Sequence, residues 1–427
     1  MASEQSLYIR GGRRLCGEAE VQGSKNATLP MLAASLLAVE GETVLKRVPP
    51  VRDVLVALEV LRKLGARVDY QAADEVAVID ATSVDTVRLP EELTARFRAA
   101  LLFVGPLLAR FRRAWIQEVG GCAIGARPVD YHYRGFARLG ARVVGIGGQG
   151  VDQGIEVSAD DLRGAFMYCD LPSHTGTENL IMAACLAQGE STIENAASDP
   201  EIADFVELLT RMGAQIEGAG TRTVRITGVE RLRGAEHTVM HDRLDAGLLL
   251  MAAGITGGEL ALRGVHPEHL RIFETKLQQM GLDIDHQDEW TRVTAPAQLS
   301  PINVVTTYYP GFPTDLQPSI MALACVAHGD SYVRETVFED RLGHVKTLRS
   351  FGARLSAEKD RLVVIRGPAA LQGARVRAQD IRAGGACVLA GLAAQGCTTI
   401  TNLYQLDRGY AHLETRLRQL GADLERT

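Results

Sequence analysis

The stretch LRKLGARVDY, residues 61–70, decides the fold because the same pattern recurs along the whole chain. The later copies read FARLGARVVG, LTRMGAQIEG, LQQMGLDIDH, LRSFGARLSA and LRQLGADLER. Each copy is typical of a helix end, a capping glycine and the start of a strand. The period is about 70 residues, which predicts six repeats of one structural unit. The capping glycines are Gly65, Gly140, Gly213, Gly281, Gly352 and Gly421.

A second, apolar pattern precedes each copy of the first. Its six versions are MLAASLLAVEGETVLKRV, LLFVGPLLARFRRAWIQEV, LIMAACLAQGESTIENA, LLLMAAGITGGELALRG, IMALACVAHGDSYVRET and CVLAGLAAQGCTTITNL. Each predicts an apolar helix followed by a short alternating strand. These helices are apolar on nearly every face, so we expect them inside the fold with the sheets outside.

The chain has 427 residues, enough for about two or three domains. Three repeats around one helical core would form a domain, so six repeats predict a two-domain, inside-out α/β barrel fold. We expect one discontinuous domain of residues 1–24 and 241–427 and a second domain of residues 25–240. The segment 7–21 is predicted to be a strand that completes the last repeat, with the chain crossing between domains near Gly23 and near His241.

The composition gives no sign of a nucleic-acid-binding, membrane-spanning or secreted protein. The net charge is -6, which gives no general attraction to nucleic acid or to an anionic membrane. No apolar run reaches the roughly 20 residues of a membrane span, and the N-terminus does not resemble a signal peptide. The seven cysteines include no C-x-x-C pair, which favours a reducing compartment, and we predict a cytoplasmic protein. The motif GIGGQG, residues 145–150, is followed by a strand pattern and indicates a hairpin turn, not a dinucleotide site.

A few polar residues fall outside the repeated pattern. Cys122 lies among glycines in GGCAIGARPVD, residues 120–130, where a core role is improbable. Lys25 and Asn26 directly precede a predicted helix, a suitable place to bind an anion. Asp315, in FPTDLQ, is either a helix cap or a catalytic base. His132 is either a core or capping histidine or a general base.

Several motifs, taken in order, resemble a known family. GSKNATLP, RAALLFVGPLLARF, GGCAIGARPVD, FPTDLQ, ETVFEDR and LDRGY are similar to the successive motifs of the UDP-N-acetylglucosamine 1-carboxyvinyltransferases, the enolpyruvyl transferases of peptidoglycan synthesis. The resemblance implies two inside-out α/β domains with an active site in the cleft between them. It also implies transfer of the enolpyruvyl group of phosphoenolpyruvate to the 3'-hydroxyl of UDP-N-acetylglucosamine with release of phosphate, without a metal or organic cofactor.

The resemblance assigns roles in the reaction. Cys122 would lie on a lid loop, meet phosphoenolpyruvate and be alkylated by the epoxide antibiotic fosfomycin; it and Lys25 are the candidate general acids. Asp315 would be the base. The candidate phosphate-binding residues are Lys25, Arg127 and Arg408, and the further anion contacts are Arg98 and Arg382.

The remaining assignments concern the sugar nucleotide and the charged surroundings. Asn26 would hold the tetrahedral intermediate, and Glu339 and Asp380 would orient the cations. The nucleotide-sugar contacts implied by the resemblance are Arg127, Pro128, Asp130, Ser173 and Val337.

The chain departs from the family pattern in one turn. Many members read S-V-G-A-T-E-N where this chain reads SHTGTEN, residues 173–179, and Leu171 replaces a lysine present in some members. A protonated His174 would supply the missing charge, so we expect nucleotide-sugar binding to tighten as the pH falls from about 8 to about 6. Three alternatives stay open: a shikimate-pathway enolpyruvyl transferase, an enzyme for another nucleotide sugar, and a non-catalytic nucleotide-sugar sensor.

Overall fold

The computed structural model describes residues 5–117, 119, 125, 129–148 and 151–427, and these form two compact units. The C-terminal unit contains the described residues up to Gln22, Gly125 and His241–Thr427. The N-terminal unit contains the other described residues between positions 23 and 240. The chain thus passes between the units after Gln22, two residues before the boundary expected from the sequence, and again after Met240.

The repeated glycines have the local structure that their pattern predicts. Each follows the end of a helix and precedes a strand, and their φ angles lie between 85° and 108°. At the first copy, the amide of Gly65 donates to the carbonyl of Arg62, and the amide of Ala66 donates to that of Leu61. These two bonds close the helix in a Schellman motif, whose left-handed residue is most often glycine.

Three four-stranded sheets belong to the C-terminal unit. In each, the first two strands are parallel and the later neighbours are antiparallel. In spatial order the sheets are Arg375–Arg377, Cys397–Thr401, Ser6–Arg10 and Asp423–Arg426; Cys16–Glu20, Glu259–Arg263, Trp290–Thr294 and Asp283–Gln287; and Asn303–Val305, Asp330–Arg334, Leu362–Arg366 and Leu355–Ala357.

The N-terminal unit has two sheets with the same pairing pattern. They are Glu236–Thr238, Thr43–Lys46, Val76–Asp80 and Arg67–Gln71; and Phe166–Tyr168, Glu190–Glu194, Thr223–Thr227 and Gln215–Glu217. A three-stranded sheet contains Arg113–Ile116, Val151–Ser158 and Arg142–Gly148, and Leu232–Arg233 pairs with Ala38–Glu40. The last two strands of the three-stranded sheet are antiparallel, so residues 145–148 of GIGGQG belong to a strand and not to a helix; Gln149 and Gly150 lie outside the described residues.

The expected N-terminal strand is two strands. Ser6–Arg10 pairs with Cys397–Thr401 and Asp423–Arg426, so it does complete the last sheet of the chain. Cys16–Glu20 joins a different sheet, beside Glu259–Arg263. Gly12, with a φ of 85°, lies in the connection between them, and the expectation of one continuous strand over residues 7–21 was therefore wrong.

The apolar helices form the interior of each unit, as predicted. In the C-terminal unit these are Arg243–Thr256, Gln317–Ala324 and Ile381–Ala393, which pack against one another. In the N-terminal unit His174–Ala184 packs against both Lys25–Ala34 and Val104–Phe111. Nearly every residue of these helices is buried, including all of Arg243–Thr256 except its last residue.

The other helices carry one apolar face and one polar face. The longer ones are Arg52–Lys63, Asp130–Arg138, Pro200–Arg211, Pro267–Gln279, His344–Arg349 and Leu413–Gln419. Short α-helices lie at Glu91–Thr94 and Tyr404–Asp407, and 3₁₀ helices at Ser35–Leu37, Arg98–Phe103, Thr314–Leu316 and Lys359–Arg361. Among the described residues, no helix has both the length and the apolar character needed to cross a membrane.

The helix Arg52–Lys63 allows a test of this packing. Leu58 is 1% exposed and Leu55 is 42% exposed on the same helix. We predict that Leu58→Ala lowers the free energy of unfolding by about 2–5 kcal/mol, since it leaves a cavity. Leu55→Ala should change it by less than about 0.5 kcal/mol. Chemical denaturation followed by circular dichroism measures both; equal effects of the two substitutions would contradict the orientation of the helix.

Candidate active site

Most of the polar residues singled out from the sequence lie where the buried helices begin. The first amides of a helix have no partner within the helix and carry partial positive charge, so they bind acceptors and anions. Ser24, Ser173, Asp242 and Asp380 cap four of the buried helices with side-chain oxygens. The capped helix starts are thus one place where these mainly apolar helices carry polar groups.

In the N-terminal unit, Lys25 is the first residue of the helix Lys25–Ala34. The Oγ of Ser24 accepts a hydrogen bond from the amide of Ala27 at 3.2 Å. The Nζ of Lys25 lies 3.4 Å from Oδ2 of Asp53, and these side chains are 10% and 6% exposed. Lys25 and Asn26 thus lie within the first turn and not before it, and Lys25 is buried beside a carboxylate that the sequence did not single out.

Arg98 begins the 3₁₀ helix Arg98–Phe103 and is half-buried. His132, 1% exposed, lies close enough for the two to interact. Burial, aided by the charge of Arg98, lowers the pKa of His132 to about 3. Its Nδ1 accepts a hydrogen bond from Nδ2 of Asn179 at 3.0 Å. His132 is therefore a neutral core histidine and too weak a base for the alternative role.

Two candidate nucleotide-sugar contacts are brought together in the same unit. Asp130 is exposed, begins the helix Asp130–Arg138 and pairs with Arg134 at 3.2 Å. The next residue, Tyr131, places its hydroxyl 2.7 Å from Oγ of Ser173. Ser173 Oγ also accepts a hydrogen bond from the amide of Gly176 at 3.1 Å, which caps the helix that follows.

His174, in the unusual SHTGTEN turn, is surrounded by carboxylates. Its Nδ1 lies 3.3 Å from Glu178 and its Nε2 lies 3.9 Å from Glu201, while both glutamates are buried. Burial opposes the charge of His174, but Glu178, Asp199 and Glu201 outweigh it and raise its pKa to about 10. The expectation that His174 titrates between pH 8 and 6 was therefore wrong. Leu171, by contrast, is 51% exposed.

In the C-terminal unit, two arginines hold Asp315. Arg341 Nη2 donates to Oδ1 of Asp315 at 2.8 Å, and Arg382 Nε donates to Oδ2 at 3.0 Å. The arginine side chains are 3% and 5% exposed, whereas that of Asp315 is 30% exposed. Asp315 lies in Thr314–Leu316, and the residue at the N-cap of the following helix is Leu316, so the interpretation of Asp315 as the capping residue was wrong.

Asp380 and Arg382 occupy the first turn of another buried helix. Asp380 Oδ1 accepts hydrogen bonds from the amides of Arg382 and Ala383 at 2.8 and 3.0 Å. Arg382 also donates to the hydroxyl of Tyr410 at 3.3 Å. Burial opposes the charge of Arg382, but Asp315 and Tyr410 outweigh it and raise its pKa above the ordinary value. Arg382 thus stays charged.

The remaining candidates in this unit lie on loops. Arg408 is buried and donates to Oε1 of Gln405 at 3.0 Å. Val337 is half-buried, and its amide donates to Oε1 of Glu335 at 2.7 Å. Glu335 also accepts from Thr314 at 2.9 Å, which links the Val337 loop to the Asp315 segment. Glu339 is exposed.

Cys122, Arg127 and Pro128 lie outside the described residues. Gly125, from the same glycine-rich stretch, is described and has a φ of 138°. It lies against Glu339, because a Cβ at Gly125 would be 2.2 Å from the Oε2 atom of Glu339. Of Glu339 and Asp380, the two residues expected to orient the cations, Glu339 therefore lies beside Gly125.

Sequence reasoning missed four side chains that shape these sites, namely Asp53, Tyr131, Arg341 and Tyr410. Arg341 and Tyr410 fall inside the motifs ETVFEDR and LDRGY, so their position beside named residues was an available signal. Asp53 lies 28 residues from Lys25, and nothing in the sequence indicates that the two meet.

Comparisons with known proteins agree with the family resemblance found in the sequence motifs. The family described as EPSP synthase (3-phosphoshikimate 1-carboxyvinyltransferase) matches residues 9–417. The solved enolpyruvyl transferase NikO from Streptomyces tendae superposes with a TM-score of 0.90 over 99% of both chains, at 26% sequence identity. Two α/β units with buried cations at their helix starts fit this class of transferase. Because the family match spans residues 9–417, the chain belongs to the enolpyruvyl transferase family.

Closer relatives share the full length. A protein of Thermobifida fusca named UDP-N-acetylglucosamine 1-carboxyvinyltransferase is 46% identical over 100% of this chain and 99% of its own. A Staphylococcus epidermidis protein named UDP-N-acetylglucosamine 1-carboxyvinyltransferase 1 is 46% identical over 98% of this chain and 99% of its own.

The two histidines of the N-terminal unit give a test of their charge states. Between pH 6 and 8 we predict that His174 stays protonated and His132 stays neutral, because their pKa values are about 10 and about 3. Side-chain NMR titration, with His174→Val to assign the signal, should show two non-titrating rings with opposite protonation.

The raised pKa of His174 also predicts how the free energy of unfolding depends on pH. Since the folded-state pKa of His174 exceeds the 6.5 of an unfolded histidine, its stabilising contribution is complete below about pH 6.5. It should be lost as the pH rises toward 10. An imidazole of His174 that titrates near pH 6.5 would contradict both statements.

Proposed function

We propose that this chain transfers the enolpyruvyl group of phosphoenolpyruvate to the 3'-hydroxyl of UDP-N-acetylglucosamine and releases phosphate, a step of peptidoglycan precursor synthesis. The observation that carries the proposal is 46% identity, over the full length, to enzymes with that name. The residues that such a reaction needs are also present in this chain.

Phosphoenolpyruvate carries a phosphate and a carboxylate, so its binding needs several cations. Guanidinium groups bind both anions through paired hydrogen bonds. Lys25, Arg98, Arg382 and Arg408 are buried or half-buried in their units, where a charge interacts more strongly than at the surface. We assign phosphate binding to Lys25, Arg408 and Arg127, and further anion contacts to Arg98 and Arg382.

The chemistry is an addition followed by an elimination. A general acid protonates the methylene carbon of phosphoenolpyruvate while the sugar oxygen bonds to carbon 2 and loses its proton to a base. The tetrahedral intermediate then loses a methyl proton as the bond to phosphate breaks, which restores the double bond. We assign the acid to Cys122, with Lys25 as the alternative, and contact with the intermediate to Asn26.

The surroundings of Asp315 support its assignment as the base. Two adjacent guanidiniums favour the ionised carboxylate. A carboxylate oxygen can accept more than one hydrogen bond, so contact with an arginine does not prevent it from binding a substrate hydroxyl as well. The 30% exposure of Asp315 leaves it open to such a group, while buried Arg341 and Arg382 fix its direction.

We assign sugar-nucleotide binding to a set of residues that shares only Arg127 with the phosphate-binding set. We propose that Asp130, Ser173, Arg127, Pro128 and Val337 contact UDP-N-acetylglucosamine, and that Glu339 and Asp380 orient the cationic residues. The hydrogen bond between Tyr131 and Ser173 supports the first part, since it fixes two of these segments together.

Two other acceptors should be compared directly with UDP-N-acetylglucosamine. The family match carries the name of the enzyme that acts on 3-phosphoshikimate, and the solved relative NikO is named only as an enolpyruvyl transferase. Another nucleotide sugar is the second candidate, because SHTGTEN departs from the family pattern.

The deciding measurement is phosphate release from phosphoenolpyruvate with different acceptors. We expect release with UDP-N-acetylglucosamine and none above background with shikimate 3-phosphate. Release with shikimate 3-phosphate alone would assign the other activity. Release with a different nucleotide sugar only would identify the substrate as that sugar, and saturable binding without release would identify a sensor.

Asp315→Asn tests the base. Asparagine keeps the size of the side chain but cannot take up a proton, so we predict that kcat falls by about 10²–10⁴ while nucleotide-sugar binding persists. The matched control is Asp423→Asn, which removes the carboxylate paired with Arg13 in the same unit and should leave kcat unchanged. Turnover of Asp315→Asn within a few fold of wild type would restrict Asp315 to holding the two arginines.

A further inference from the structure

A histidine cluster at the start of the helix Pro267–Gln279 has no part in the proposed reaction. His266 precedes the helix, and Glu268 and His269 lie in its first turn, so one short HPEH segment provides three donors. One donor atom from each residue lies within 4.8 Å of the other two. Imidazole nitrogens with one carboxylate are the ligands of zinc and related first-row metals.

The distances are close to those that a metal requires. Oε1 of Glu268 lies 3.6 Å from Nδ1 of His266 and 3.9 Å from Nε2 of His269. Donors bound at 2.0–2.1 Å in a tetrahedron are about 3.3 Å apart, so the two pairs that include Glu268 must approach by about 0.3 and 0.6 Å. The donor atoms of the two histidines, which lie within 4.8 Å of each other, must approach by at most about 1.5 Å. Glu268 and His266 are 59% and 42% exposed, which leaves them room to rotate.

A fourth residue sets the orientation of the cluster. His241 Nδ1 lies 3.3 Å from Nε2 of His266, and the rings are 5.6 Å apart. A proton on Nε2 of His266 makes this a hydrogen bond and leaves Nδ1, which faces Glu268, with a free lone pair. A second hydrogen bond of this kind is what orients metal-binding histidines in proteins.

The backbone makes space for His241. A Cβ at Gly264 would lie 2.5 Å from the His241 ring, so only glycine permits this approach. The other nitrogen of His241 lies 3.9 Å from Glu20, a further carboxylate that favours a proton on that side. Gly264 thus allows the His241 ring to occupy this position, and Glu20 favours the tautomer in which Nδ1 of His241 accepts a hydrogen bond from His266.

The other clusters of this type are less suitable among the described residues. Asp204 bonds to His237 at 2.9 Å and to the amide of Met240 at 3.0 Å, so its oxygens serve the fold. The carboxylates around His174 already hold a protonated ring. Of the three clusters found in the part of the chain that the structure describes, the HPEH segment is the one that combines two histidines with partial exposure.

We propose that His266, Glu268 and His269 bind one divalent metal ion of the Zn²⁺, Co²⁺ and Ni²⁺ class, with His241 as a positioning residue. Three protein ligands leave one coordination position for water or an exchangeable ligand. Glu268 neutralises one charge of the ion and offsets the positive helix end, which by itself disfavours a cation. This proposal is independent of the enolpyruvyl transfer.

Calorimetry with Zn²⁺ and Co²⁺ on the whole chain at pH 7.5 tests the site. We expect one saturable site in the wild type and at least about 100-fold weaker binding in the variant His266→Ala/His269→Ala. His241→Phe keeps the ring volume without the nitrogen and should weaken binding by about 10–100-fold, the usual range for an outer partner. His286→Gln is the matched control, since His286 lies beside Glu274 outside the cluster, and should bind as the wild type does.

Three outcomes would overturn the proposal. The first is equal affinity in the wild type and the double variant. The second is displacement of bound Zn²⁺ by Mg²⁺ as readily as by Co²⁺. Because Mg²⁺ prefers oxygen ligands, this result would indicate simple charge attraction. The third is a thiolate charge-transfer band in the Co²⁺ spectrum, which would place the ion at an exposed cysteine such as Cys16 or Cys397. Phosphate release should be the same in all these variants, so failure here leaves the proposed function untouched.

Discussion

A helix buried on every face has few polar groups but must still satisfy the free amides of its first turn, and this constraint draws polar side chains to the helix starts in both units. The helices Lys25–Ala34, His174–Ala184 and Ile381–Ala393 are interior elements with few polar residues along their length. Their first turns must still satisfy free amides, which attracts the capping residues Ser24, Ser173 and Asp380. Lys25, Ser173 and Arg382, which are among the residues proposed to bind the anions and the sugar nucleotide, lie at those same helix starts.

The ion network around Asp315 shows how such a location becomes rigid. Charges removed from water are costly unless they are paired and hydrogen-bonded, and breaking a buried pair typically costs about 3–5 kcal/mol. Direct hydrogen bonds join Asp315 to Arg341 and Arg382, and Arg382 to Tyr410. The network therefore fixes the direction of a carboxylate that is itself partly open, which is the property that a catalytic base requires.

The sequence predicted the repeated elements well because each depends on local signals. A glycine after a helix and an apolar run before a strand need no knowledge of the distant chain. Failures occurred where distant residues decide the outcome. Asp315 looked like a cap because its arginine partners lie 26 and 67 residues away. The ordinary pKa assumed for His174 ignored Glu178, which lies one helical turn away, and Asp199 and Glu201, which approach only in the folded unit. The single N-terminal strand became two because its halves pair with different sheets.

The departure at SHTGTEN has a packing explanation that also follows from tertiary contacts. A Cβ at Gly176 would lie 2.4 Å from the ring of Tyr131, so the ring occupies the space where the family pattern has the methyl group of alanine. The same ring places its hydroxyl against Ser173. Glycine at this position is thus the counterpart of Tyr131, and the pair keeps the serine cap in place. The glycine in this turn therefore reflects a different way to support Ser173, with the capping serine itself retained.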